Sequence, residues 1–109
     1  MPEDYYLVLC TCPDRPCAET LAHSLIQQHL AACVNILPGV QSIYRWEGQI
    51  EQASELLLLI KTEQSAYPAL QSQILQLHPY RTTEIIALPI QAGSTDYLQW
   101  VSSCLRSES

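Results

Sequence analysis

The chain has 109 residues, 48% of them apolar and only 15% charged, with a formal net charge of -6. One domain spanning 1–109 is the natural expectation for this length. Nucleic-acid binding needs clustered Lys and Arg to neutralise phosphate, but Lys61 is the one lysine and Arg15, Arg45, Arg81 and Arg106 are scattered; the same shortage argues against anionic membranes.

Residues 5–12 (YYLVLCTC) read as a strand buried on both faces, being short, apolar and partly β-branched. Pro13 and Asp14 end it. Asp14 suits a helix N-cap, and Pro16 fits only a first helical turn. Ala18, Leu21, Ala22, Leu25, Ile26 and Leu30 then form one apolar stripe, which predicts a helix running to about Leu30. Val34, Ile36, Val40, Ile43, Tyr44 and Trp46 mark β-structure from Cys33 to Glu47. Pro38-Gly39 interrupts it, either as a turn between two strands or as a bulge bending one long strand. Glu47-Gly48-Gln49 has the look of a hairpin turn, and Leu56–Thr62 is the strongest strand in the chain. Ser65 is placed to cap a second helix with Pro68 in its first turn. Tyr67, Leu70, Ile74 and Leu77 share its stripe, and Pro79 ends it. Residues 83–91 predict a further strand in which Pro89 needs an edge or a bulge. Ser94 or Thr95 opens a short last helix with Leu98, Val101 and Leu105.

The order is β-α-β-β-α-β followed by a helix. In about 100 residues this suggests an α+β fold, the ferredoxin-like βαββαβ sandwich with an extra C-terminal helix. Two helices would cover one face of a four-stranded antiparallel sheet. Such a fold hosts many activities and specifies none.

The apolar run Leu56–Ile60 is far shorter than the roughly 20 residues of a membrane span. The acidic start, Met1-Pro2-Glu3-Asp4, lacks the basic region of a signal peptide, which favours a reducing cytoplasm. The five cysteines, Cys10, Cys12, Cys17, Cys33 and Cys104, then read as thiols, an odd count without a CxxC pair.

Several stretches become specific together. They are Leu30–Gly39 (LAACVNILPG), Ser42–Gly48 (SIYRWEG), Leu58–Thr62 (LLIKT), Leu77–Tyr80 (LHPY), Glu84–Ile90 (EIIALPI) and Tyr97–Trp100 (YLQW). With Cys10–Asp14 (CTCPD) at the first strand, they resemble the divalent-cation tolerance family CutA over nearly the whole chain. The resemblance implies a homotrimer built like the PII signalling proteins and a link to divalent-metal tolerance, copper especially. It implies no established reaction. It also implies a metal site of one cysteine in the first strand, one opening the second, and a histidine ending the second long helix: Cys10, Cys33 and His78. Cys12 and Cys17 stand outside the family positions. Cys10 and Cys12, two residues apart on a strand, share a face and form a second thiol pair or simply pack.

Thiolate and imidazole suit copper and zinc, with affinity peaking at copper among the divalent ions, so the cofactor expected is copper or another divalent cation. His23 and His29 do not share a helix face and read as solvated. A second reading starts from Lys61, which ends the most apolar strand; a buried ammonium must be paired, and Glu84, Glu47 and Arg45 are its candidate neighbours. With Trp46 and Tyr80 as aromatic walls, Trp46, Lys61, Tyr80 and Glu84 would line an inter-subunit cleft for a small molecule or partner protein. The opposing reading is that Lys61 reaches the surface or makes a structural ion pair. Tyr44, Arg45 and Trp46 also suit an interface, and the outer half of the second strand would pair with a neighbouring subunit. An enzyme is the weakest reading: Gly39, Gly48 and Gly93 are dispersed, so no phosphate-binding glycine loop exists.

Overall fold

The elements follow one another in the computed structural model as β1 (Tyr5–Cys12), α1 (Arg15–Gln27), β2 (Cys33–Trp46), β3 (Gln49–Glu63), α2 (Tyr67–Leu77), β4 (Ile85–Pro89) and α3 (Thr95–Cys104). The structure describes residues 4–106, so the reading of the N-terminus that rests on Met1–Glu3 lies outside the described residues. The strands form one antiparallel sheet in the order β2-β3-β1-β4, the ferredoxin-like arrangement that the element order predicts.

Alternation along the strands divides the sheet into two faces. One carries Val8, Cys10, Cys12, Leu58 and Ile60, all fully buried beneath α1 and α2. Leu21 and Leu25 of α1 and Leu70 and Ile74 of α2 complete this core. Burying each such side chain contributes about 1.5–3 kcal/mol. The other face carries Leu7, Leu9, Leu37, Leu57, Leu59, Ile86 and Leu88, in one register. Among the described residues only α3 lies over it, at the Glu63 end: Glu63 is 1% exposed and accepts hydrogen bonds from Ser102 Oγ at 2.5 Å and Arg106 Nη1 at 3.0 Å. Leu37, Ile86 and Leu88 stay about half exposed.

Most of the local signals hold. Asp14 Oδ1 accepts the Cys17 N–H at 2.9 Å, so Asp14 is the N-cap. Pro38-Gly39 is a bulge within a single long strand, placed between the pairs Leu37–Leu57 and Val40–Glu55. Glu47 and Gly48 have φ of 50° and 79°, the left-handed pair that a tight two-residue hairpin turn requires. Beyond the bulge, residues 40–55 form a two-stranded arm that runs past the end of β1. Pro89 closes β4 on the sheet's edge, where its missing N–H costs no ladder bond.

Three expectations change. The first helix ends at Gln27, not Leu30, because His29 turns into the left-handed region at φ 60°. Leu30 still reaches the core, but from the connecting loop. Ser65 does not cap α2: it lies in a 3-10 turn, Gln64–Ala66, that leads directly into the helix. His29 is also not simply solvated, since its Nδ1 lies 3.1 Å from the Cys104 carbonyl oxygen.

Candidate functional site

Cys10 and Cys12 face inward from the end of β1, both fully buried. His78 reaches the same place from the end of α2. Its N–H caps the helix on the Ile74 carbonyl at 2.8 Å, and its extended backbone is what Pro79 imposes on the residue before it. The two sulfurs and an imidazole nitrogen lie within 4.8 Å of one another, and His78 is 7% exposed. Both ring nitrogens are engaged. The Tyr80 N–H donates to Nδ1 at 3.1 Å, so Nε2 carries the proton and donates to the Thr11 carbonyl at 2.7 Å.

Both sulfurs of the cluster are fully buried. Hydrogen bonding to Cys10, and then burial, push the Cys12 thiol far up. Cys17, in the first turn of α1, is half-buried beside them. Its thiol is pushed up to about 12 by burial first and by Cys12 and Asp14 after that. All five cysteines are free.

As a metal centre the donor set is soft: two sulfurs and an imidazole suit zinc, cadmium and copper and repel hard ions. A tetrahedral zinc with Zn–S of about 2.3 Å sets its sulfurs about 3.8 Å apart, so the donors need only small side-chain movements to close. Two thiolates with one divalent ion are neutral overall, as burial demands. One His78 hydrogen bond would be exchanged for the metal–nitrogen bond.

Cys33 is not in this cluster. Its ladder partner is Lys61, whose partner on β1 is Leu7, and both belong to the face away from Cys10. There Lys61 Nζ donates to Asn35 Oδ1 and lies 3.9 Å from Cys33 Sγ. Tyr97 of α3 also reaches Cys33 and Cys104; burial, with these two cysteines, raises its phenol. Lys61 is thus satisfied structurally, away from Glu84, Glu47 and Arg45.

The other three cleft residues do converge. Trp46, Tyr80 and Glu84 line a cavity of about 580 Å³ together with Tyr44, Glu55 and Arg81. Arg81 stacks over the Trp46 ring, 5.4 Å from its centroid. Glu55 is 7% exposed and accepts the Tyr80 hydroxyl at 2.7 Å. Burial, and then this carboxylate, push the Tyr80 phenol above its ordinary range. Sequence reasoning misses Glu55; its signal is an acid placed directly before the Leu56–Ile60 run. The same reasoning pairs Cys12 with Cys10 but not with His78, because β1 and the end of α2 are far apart in sequence.

The pattern of the family described as CutA1 divalent ion tolerance protein matches residues 6–104. The divalent-cation tolerance protein CutA of Pectobacterium atrosepticum is 48% identical over 103 residues, covering 94% of both chains. That of Thermus thermophilus is 50% identical over 95 residues, covering 87% of this chain and 92% of its own. The crystal structure of CutA1 from Oryza sativa superimposes with a TM-score of 0.93 at 40% identity, covering 97% of each chain.

Proposed function

The chain belongs to the CutA1 divalent ion tolerance family, and on that premise we propose that it binds copper or another divalent cation in metal-ion tolerance. The observation that carries this reading is the buried meeting of Cys10 and His78, joined by Cys12. Cys33, the third donor that the resemblance implies, lies on the other face of the sheet and is tested separately from Cys10 and His78. Calorimetric titration with Zn(II) and Cu(II) should give saturable binding that weakens at least about 100-fold in His78→Ala, more than loss of a supporting residue costs. Equal affinity in the variant would remove His78 from the ligands.

We also propose that it works as a homotrimer in a reducing cytoplasm, with no nucleic-acid or membrane partner. The half-exposed Leu37, Ile86 and Leu88 support self-association, as do Ile43 and Ile50, 68% and 73% exposed on the hairpin arm. A two-stranded arm is only marginally stable alone. No helix among the described residues is long and apolar enough to cross a membrane. Sedimentation equilibrium should return three chain masses; a monomer mass would overturn the assembly.

The second reading is a PII-like trimer that binds a small molecule or partner protein in the cleft. It is favoured by the aromatic walls Tyr44, Trp46 and Tyr80 around a buried carboxylate. A metabolite that raises the melting temperature of the native protein but not of Tyr80→Phe would support it. No stabilising compound in a broad screen would count against it.

A further inference from the structure

Family resemblance leaves Cys12, Cys17 and Cys104 without a role, yet Cys12 sits in the buried cluster and Cys17 packs against the core that holds it. Cys10 and Cys12 alternate on one strand, so their Cα atoms lie about 6.7 Å apart, the upper end of what a disulfide spans. The pair therefore resists bridging itself and leaves two sulfurs aimed at one point, with His78 opposite. Cys17 approaches from α1. Its N–H is held by Asp14 Oδ1 at 2.9 Å, and its side chain packs against the core that contains Cys10 and Cys12. Of these three cysteines Cys17 alone reaches solvent; Cys10 and Cys12 are fully buried.

We propose that Cys10, Cys12 and His78 form the inner donors of a thiophilic metal clamp, with Cys17 as the fourth, solvent-side donor that receives the ion and closes a tetrahedral site. The proposal rests on the reading of this chain as a metal-binding protein and replaces Cys33 by Cys12 within one subunit. Charge supports the division of labour. Two buried thiolates cancel a divalent ion, so the interior stays neutral. The extra negative charge of a third thiolate falls on Cys17, the one of the three that reaches solvent. Each sulfur that binds releases its proton to solvent, and no electron is transferred. The ions selected are soft and prefer sulfur, Zn(II) and Cd(II) among them; Mg(II) and Ca(II), which prefer oxygen, are refused.

The test is a titration of the fully reduced protein with Cd(II), read by thiolate-to-metal charge-transfer absorbance and by 113Cd NMR, whose resonance moves with the number of bound sulfurs. Native protein should saturate at one ion with a three-sulfur signal. Cys17→Ser should lose about one third of the absorbance, one sulfur of three, and shift the resonance to a two-sulfur position. Cys12→Ala, with folding checked by circular dichroism, should bind at least about 100-fold more weakly. Cys12→Ser serves as the second variant if packing suffers. Cys33→Ser should change nothing. Full absorbance in Cys17→Ser would remove the fourth donor. Loss of binding in Cys33→Ser with retention in Cys12→Ala would sink the clamp while leaving the metal-binding reading intact. No absorbance change in the native protein, with Cd(II), Zn(II) competition or Cu(II), would sink both.

Discussion

His78 Nε2 donates to the carbonyl oxygen of Thr11, 2.7 Å away, and Thr11 is the one residue between Cys10 and Cys12. This bond joins the end of α2 to the end of β1 and fixes the imidazole against the two thiols. It also makes the site part of the fold's own hydrogen bonding, because the Tyr80 N–H holds the other ring nitrogen.

His78→Ala should therefore destabilise the metal-free protein by about 1–3 kcal/mol, since two buried hydrogen bonds disappear. Urea unfolding under chelator measures it. A change below about 0.5 kcal/mol would mean that the network contributes little to the fold.

Tyr80→Phe removes the hydroxyl that Glu55 accepts and should cost about 1–3 kcal/mol at neutral pH, because the buried carboxylate loses its donor. The native protein also has an alkaline signature. Its raised phenol keeps the proton that an unfolded tyrosine loses near 10.0, so the folded state binds more protons and stability falls as pH rises above that value. Unfolding curves at several alkaline pH values should show a shallower fall in the variant.

Cys17, pushed up to about 12, should alkylate slowly with iodoacetamide despite its partial exposure. The thiolate fraction at pH 8 is on the order of one in ten thousand. The rate should climb about tenfold per pH unit without levelling below that value. Mass-spectrometric mapping against the urea-unfolded chain decides it; equal rates at pH 8 would contradict the burial.

Gly48 has φ of 79°, and a β-carbon added there would meet nothing within 4 Å, so Gly48→Ala encounters backbone strain alone. The expected cost is about 1 kcal/mol, confined to the arm. Hydrogen exchange at Ile43–Glu51 should speed up while the amides of Val8 and Ile60 stay protected.

Leu88→Glu places a charge on the sheet face that the helices leave largely uncovered. In a monomer the change would be nearly neutral, because Leu88 is 44% exposed. The proposed trimer predicts dissociation instead, read as a drop in sedimenting mass.

What is legible in the sequence is whatever short-range chemistry dictates. Asp14 before Arg15-Pro16 announces a capped helix, Glu47-Gly48 a turn, and Leu56–Ile60 a buried strand. Boundaries set by loops are less legible: nothing around His29 advertises its left-handed backbone, and Ser65 has the right chemistry for a cap that a 3-10 turn makes unnecessary. The two candidate sites are half legible. Cys10 and His78 meet, and Trp46, Tyr80 and Glu84 line one cavity. Cys33 and Lys61 are partners of each other because strand register places them on the face away from Cys10.

Periodicity, caps and turns act over a few residues, and for that reason the element order, the inward face of β1 and the family can all be read from the chain alone. Which thiols share a site is a matter of tertiary structure. Alternation puts Cys10 and Cys12 on one face, but only the antiparallel register and the packing of α2 bring His78 to them, and the start of α1 packs Cys17 against the same core. Charge scarcity makes Lys61 conspicuous; the fold gives it Asn35 and Cys33 as neighbours, and leaves Leu37, Ile86 and Leu88 half exposed on the sheet face opposite the helical core.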